Sequence, residues 1–318
     1  MLTTTGTLSA ELRSYYDRNL LSRLLPNLVY APYGQAKPMP ANEGQSVQFR
    51  RFSSLSLATT PLSEGVTPAG NSLTVTPVTA TPVQYGDFVE LSDMLDFTAP
   101  DPILTETGGL LGEQAAAVVD TIVRDELVAG TSVQYAGAAS VSRVTVGVAD
   151  LMNWTEARKV VRTLTENKVK KMTEIVNPST GVGSVPVNAA YVAIVGARTH
   201  YDLKNDAKWV PVEQYASNAG MLLPHEIGAM DDIRFVLTDN PKVFTGLGEG
   251  GIDVHCTLVM GRDAFGVIMP QGVRNIVKPF GSGQDPLDQR ATTGWKALFC
   301  AKILQQLALV RIEHAVSA

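Results

Sequence analysis

Histidines come first in a search for chemistry, because an imidazole titrating near neutral pH serves as general acid, base or metal ligand. His200, His225, His255 and His314 are scattered, with no HxH, HExxH or HxxxH spacing. His255 and Cys256 are adjacent, so on a strand they point to opposite faces and cannot share a metal. Each histidine reads as a single solvated or packed side chain. Gly281-Ser282-Gly283 lacks the glycine spacing of a nucleophile elbow. The run Gly246-Leu247-Gly248-Glu249-Gly250-Gly251 fits G-x-G-x-x-G, a motif that holds pyrophosphate by opening a helix whose amides face the ligand. Here the strand-like Ile252-Asp253-Val254-His255-Cys256 follows instead, and Glu249 would repel phosphate, so a hairpin tip is expected. Asp231-Asp232 and the pair Asp285 and Asp288 lack a third oxygen ligand at EF-hand spacing and read as turns. Asn153-Trp154-Thr155 matches a glycosylation sequon but falls on an expected helix. Arg50-Arg51 and the Arg158–Lys171 cluster have no interleaved aromatics, so they read as solvated faces or inter-subunit ion pairs rather than a nucleic-acid groove. No catalytic, cofactor or metal set is expected.

The elements that would carry these residues form an α+β chain. Leu8, Leu12, Tyr15, Tyr16 and Leu20 suit a short amphipathic helix, after which Pro26, Pro32, Pro38 and Pro40 enforce an extended arm without a core. Residues 44–92 alternate as β structure around a wide tip at 61–71, and Pro77 and Pro82 confine the return arm to a sheet edge. Such an excursion needs a neighbour to lie on. Asp101-Pro102 is a helix start and Gly130 a stop. Leu111, Ala115, Val118, Val119, Ile122 and Val123 make the apolar side of that helix, with Asp120 and Arg124 pairing on the other. Gly108, Gly109 and Gly112 weaken its first half by about 1 kcal/mol each. A second helix is expected over 151–166, capped by Asp150, with Leu151, Trp154, Ala157, Val161 and Leu164 as its stripe. Strands are expected at 190–195, 233–237, 254–260 and 264–269. Two long C-terminal strands follow from the alternation Trp295, Ala297, Phe299, Ala301, Ile303 and then Ala308, Val310, Ile312, with a helix over 296–306 as the alternative.

Composition sets the outer bounds. A length of 318 residues gives a prior near two domains, and a 45% hydrophobic content supplies a sizeable core. Only 18% of residues are charged, against about 25% in soluble domains, so surface is either weakly polar or covered by partners. Residues 1–51 carry a net charge of +3, residues 52–150 a net of −10, and residues 151–172 a net of +4. The acidic total of −5 argues against a dedicated nucleic-acid binder. Two cysteines form no disulfide framework, Met1–Gly6 lacks the features of a signal peptide, and no apolar run reaches about 18 residues. A soluble, unsecreted protein is expected.

Five strings in order resemble the tailed-bacteriophage major capsid family typified by phage N-four, of the Hong Kong ninety-seven fold type. They are Gln84-Tyr85-Gly86-Asp87-Phe88-Val89-Glu90-Leu91-Ser92-Asp93, Leu111-Gly112-Glu113-Gln114-Ala115-Ala116, and Asp120 with Leu127-Val128-Ala129-Gly130-Thr131. Gly261-Arg262-Asp263-Ala264-Phe265-Gly266 follows, then Asp285-Pro286-Leu287-Asp288-Gln289-Arg290 with Gly294-Trp295-Lys296. The resemblance implies a structural subunit with no active site and no cofactor, which assembles as hexamers and pentamers into an icosahedral head around double-stranded DNA. It implies an N-terminal arm (1–40), an extended β loop (41–86) and a peripheral domain (87–147) with a spine helix near 101–129. An axial domain (148–280) and C-terminal strands returning to the peripheral domain (281–318) complete it.

The same resemblance implies a virion location, manufacture in the bacterial host cytoplasm, and portal, scaffolding and decoration proteins as further partners, with only weak non-specific DNA contact and no membrane. Some relatives cross-link Lys to Asn through the extended loop, but this chain has no lysine from 38 to 158, so no such bond is expected. The charge contrast suggests that Arg50 and Arg51 meet Asp87, Glu90 and Asp93 of an adjoining copy. The rival readings are an encapsulin-like protein nanocompartment and an α+β ligand-binding protein or enzyme.

Overall fold

Two sheets and a hairpin organise the chain in the computed structural model. It describes residues 28–39, 44–53, 55–57, 59–61, 64–65, 67, 70–98, 103–137, 139–173, 188–215, 222–280, 287 and 289–317, with Arg18, Leu20, Leu21, Arg23 and Leu24 ahead of them. The arm enters through β1 (Gln35–Ala36), the excursion is β2 (Val47–Phe52) and β3 (Val75–Ala80), and β4 (Val83–Ser92) leads to α1 (Asp93–Thr98) and α2 (Ile103–Val128). Next come β5 (Val133–Tyr135), α3 (Trp154–Glu166), β6 (Tyr191–Gly196), α4 (Ala197–Lys204), β7 (Val210–Pro211), α5 (Val212–Tyr215), β8 (Glu226–Met230), β9 (Ile233–Thr238) and β10 (Val243–Phe244). The chain ends through β11 (Val254–Met260), β12 (Phe265–Ile268), β13 (Val273–Lys278), β14 (Arg290–Ile303) and β15 (Leu309–His314).

β14 is the axis of a five-stranded sheet. One edge pairs antiparallel with β4, from Arg290 opposite Ser92 to Phe299 opposite Val83, and the other with β13 and then β12, on which β1 lies in parallel. Its period-two pattern buries Ala291, Thr293, Trp295, Ala297, Phe299 and Ala301. Trp295 and Ala297 pack with Leu111, Ala115 and Ala116 of α2, and Phe299 and Ala301 share a core cluster with Val119 and Val123. The small Ala115 and Ala116 let helix and sheet approach closely. At about 1.5 Å per residue, the 26 residues of α2 span roughly 39 Å. Its expected cap, Asp101-Pro102, lies outside the described residues, as do Gly281-Ser282-Gly283, Asp285 and Asp288.

The second sheet has eight strands in the order β5-β15-β11-β6-β9-β8-β7, with β10 on β11. β6 and β11 are wholly buried. Cys256, Leu258 and Met260 of β11 join the α2 cluster, while Val259 joins Ala157, Val160 and Leu164 of α3 on the opposite face. α3 begins at Trp154, not at 151: Asn153 is its cap, its side chain accepting from the Glu156 N–H at 3.1 Å. Asp150 instead accepts from Ser140 and Gly147, and Leu151 is held in a bridge to Ala315, so the chain is still extended there.

The expected divisions differ from the sheets at three places. β4 runs unbroken through residues 86 and 87, and β15 joins the eight-stranded sheet while β14 lies against α2. β12 and β13, expected with residues 148–280, belong to the β14 sheet.

Candidate assembly surfaces

Among the described residues the hairpin β2–β3 is buried against the body at its stem. Phe49 and Ala80 are buried with Ile268, and Gly266 makes room for the Phe49 ring, because a Cβ there would sit 2.5 Å from it. Beyond the stem, Phe52, Leu55, Leu57, Leu73 and Val75 are exposed, Leu57 to 87%. Arg50 and Arg51 are exposed on β2 and form no ion pair among the described residues. A second apolar surface follows the β4 edge into α1, where Phe88, Val89, Met94, Leu95 and Phe97 face solvent. Exposed apolar patches of this kind mark interaction surfaces.

Asp87, Glu90 and Asp93 lie along that same β4–α1 corner. Asp87 accepts from Gln114 Nε2 at 2.7 Å and from the Phe88 N–H at 2.9 Å, which holds its carboxyl below the usual range. Gln114 Oε1 in turn accepts from Trp295 Nε1 at 3.0 Å, tying β4, α2 and β14 together. Glu90 lies 3.9 Å from Arg290 with both side chains exposed, and Asp93 accepts from the Met94 N–H at 2.7 Å. Each of the three carboxylates thus has its own partner along this corner, and none of them pairs with Arg50 or Arg51 among the described residues.

His255, Cys256 and His314 are packed inside the eight-stranded sheet. His314 is fully buried, its Nε2 2.9 Å from Thr257 Oγ1 and its Nδ1 2.8 Å from the Ala315 carbonyl, and burial pushes it down to about 4. His255 stacks beside it across the sheet and is likewise lowered by burial. The Cys256 thiol is raised to about 12 by complete burial, far from a reactive thiolate. Gly246, Gly250 and Gly251 adopt positive φ in the β10–β11 connection, where a three-residue 3-10 turn, Glu249–Gly251, leads into a strand rather than into the helix that a pyrophosphate loop opens. The described residues hold no group of three metal-ligating side chains, and no described helix is long and apolar enough to cross a membrane.

Three arrangements escaped the sequence reading. Asp120 does not pair with Arg124. Its carboxylate accepts from the N–H groups of Val29 (2.5 Å), Tyr30 (3.2 Å) and Ala31 (3.4 Å), latching the arm to α2, while Arg124 turns to Asp125 and Asn240. Burial outweighs those donors and raises Asp120 to about 6. A carboxylate one residue from Val119 and three from Val123 was the available signal. The second is Glu313, fully buried and clamped by Arg143 through two 2.7 Å bonds and by Arg311 at 2.8 Å. The third is Gly109 and Gly112, where a Cβ would meet the Arg23 guanidinium and, at 2.5 Å, the Leu20 carbonyl oxygen.

A hairpin with exposed apolar surface and a long helix packed against the β14 sheet, beside a second sheet, are the main features of the subunit. The chain belongs to the phage capsid protein family, whose model matches residues 75–310. Its structure is similar to the capsid of Ralstonia phage GP4 (TM-score 0.71, 13% identity, covering 100% of this chain and 96% of that one). It is also similar to the head of Helicobacter pylori bacteriophage KHP40 (TM-score 0.64, 12% identity, 100% and 95% covered). A virus-like particle from Pyrococcus furiosus aligns with a TM-score of 0.52 at 11% identity, over 95% of this chain and 100% of that one. The fold is the Hong Kong ninety-seven-like α+β capsid fold, and the protein is a structural component of the virion capsid. No curated protein matches the chain.

Proposed function

We propose that this chain is the major capsid subunit of a tailed-phage head, assembling as hexamers and pentamers into an icosahedral shell that encloses double-stranded DNA. The observation that carries it is the exposed apolar surface of the hairpin beyond Phe49, which none of the described residues covers. The role is structural, with no catalysis and no cofactor. In this reading β2–β3 is the extended loop, α2 the spine, the β14 sheet the peripheral domain and the eight-stranded sheet the axial domain. The shell is built in the host cytoplasm, its further partners are portal, scaffolding and decoration proteins, and its DNA contact is weak and non-specific.

Arg50 and Arg51 of one copy meet Asp87, Glu90 and Asp93 of the next. All five lie on the subunit surface, and the arginines make no ion pair among the described residues. Reversing both arginines to glutamate should lower assembly yield and abolish its loss at raised salt, as followed by sedimentation. Unchanged yield and salt dependence would refute the contact. A protein nanocompartment is the second reading, since a virus-like particle from Pyrococcus furiosus shares the fold. Shell diameter and nuclease-protected DNA distinguish the two.

A further inference from the structure

The two faces of the β14 sheet differ in character. Trp295, Ala297 and Phe299 pack toward α2, so Lys296 and Leu298 between them face away. The register sets Arg274 of β13 opposite Lys296, Ile276 opposite Gly294 and Lys278 opposite Thr292, all on that outer face. Gly86, Phe88 and Glu90 of β4 lie across from the same three β14 residues. The cations Arg274, Lys278, Arg290 and Lys296 thus share one face of the three strands with a single carboxylate, Glu90, which lies 3.9 Å from Arg290. Arg274, Lys278 and Lys296 are exposed and make no ion pair among the described residues.

Arg274 and Lys296 are directly opposed on neighbouring strands, an arrangement that destabilises a sheet unless an anion lies between them. On its other side Lys296 faces Gly86, so no β4 side chain screens it. Both cations line a groove of about 560 Å3 with Gln84, Gln271, Ile276 and Leu298, and no described carboxylate borders it. Among the described residues no strand pairs with the far edge of β13. Charged side chains commonly guard such an edge, which accounts for Arg274 and Lys278. It does not account for Lys296, because β14 is flanked by β4 and β13. Ile276 and Phe88, 44% and 63% exposed, stand among the cations, and Glu90 would repel a phosphate backbone laid across the face. The chemistry fits carboxylates spaced by apolar side chains rather than nucleic acid.

We propose that this face docks an extended acidic segment of a partner protein, which adds to the open edge of β13 and sets carboxylates against Arg274 and Lys278. Side chains on an added strand alternate, and the outward row of β13 reads Arg274, Ile276, Lys278. The complementary row is acid, apolar, acid at every second position. The carboxylate beside Arg274 also faces Lys296 across the groove, so the opposed pair is compensated in the complex and not in the free subunit. The cations that turn away other strands thereby select an acidic one. The site lies within one subunit and does not depend on the shell reading.

The test measures, by fluorescence anisotropy across a salt series, binding of the full chain to a labelled peptide that carries glutamate, valine and glutamate at alternate positions. The wild type is expected to bind at low salt and to weaken as salt rises. The same peptide with glutamines for glutamates, or with proline for valine, should bind about tenfold or more weakly. Arg274→Gln and Lys296→Gln should each lose about tenfold in affinity, while melting stays at or above that of the wild type because the repulsion is relieved. Lys296→Arg should bind as the wild type does. No binding by the wild type, or undiminished binding by both glutamine variants, by the glutamine peptide or by the proline peptide, overturns the proposal. A fall in melting in both variants also overturns it, by giving the cations a structural role. A DNA duplex that displaces the peptide and loses affinity in the same variants would assign the face to nucleic acid instead.

Discussion

Replacing Gly112 by alanine sets two effects of opposite sign against each other. In an isolated helix the change stabilises by about 1 kcal/mol, since glycine is the poorer helix former. In the folded chain a Cβ at 112 would lie 2.5 Å from the Leu20 carbonyl oxygen, a backbone atom that moves only with its segment. That segment carries Leu20 and Leu24, 0% and 3% exposed, packed with Leu111, Ala115 and Trp295. Returning both leucines to water costs about 1.5–3 kcal/mol each, so about 3–6 kcal/mol for full release. The exposed Arg23 contacts with Glu106 and Glu113 add little. Loss of docking therefore exceeds the propensity gain. Gly112→Ala should raise the rate of tryptic cleavage at Arg23 in dissociated subunits by about tenfold or more, the equivalent of 1.4 kcal/mol of lost protection. Hydrogen exchange over residues 18–28 should rise in step while α2 stays protected. A variant that melts higher than the wild type with its arm equally protected would refute the close-approach argument.

Other consequences follow from single contacts. Gly266→Ala drives a methyl into the Phe49 ring, so exchange should accelerate over 47–52 and 75–80 and not in β14. Arg143→Ala removes two of the bonds on buried Glu313 and should cost about 1.5–3 kcal/mol in urea unfolding, because Arg311 still compensates the charge. Asp120 is raised from 3.8 to about 6, so the native state binds the proton more tightly and its contribution is present at low pH and lost as pH rises through 6. The stability of the wild type relative to Asp120→Asn should thus fall by roughly 3 kcal/mol between pH 4 and 7. His314 runs the other way: lowered to about 4, it favours the native state above its ordinary value of 6.5, and that advantage is lost on acidification. Asp120→Asn should accordingly be the more acid-labile protein, as melting from pH 7 to 4 will measure.

Much of the architecture was legible because it repeats locally. The alternation from Trp295 to Ala301 and the apolar side of α2 mark the elements that carry the core, and the expected strands at 233–237 and 254–260 fall on β9 and β11. Long-range partnership leaves no such mark. Nothing local says that Val83–Ser92 pairs with a strand two hundred residues later, or that β15 leaves the sheet of β14. Asp150 and Asn153 are both good caps, and only the bridge between Leu151 and Ala315 decides between them. Gly109 and Gly112 looked like weak points of a helix and are places where another segment passes. Asp120 looked like half of an ion pair because its real partners, three N–H groups of the arm, are about 90 residues away. Arg50 and Arg51 remain the least decipherable, since their proposed partners belong to another copy.

Electron microscopy of the full chain, concentrated and fractionated by sedimentation, decides whether this subunit builds a shell. Closed polyhedral shells are expected, in which hairpins overlie neighbouring subunits and the eight-stranded sheets converge on five- and six-fold axes. A single small species of fixed size at every concentration and salt, both alone and recovered from a phage-producing host, would contradict it.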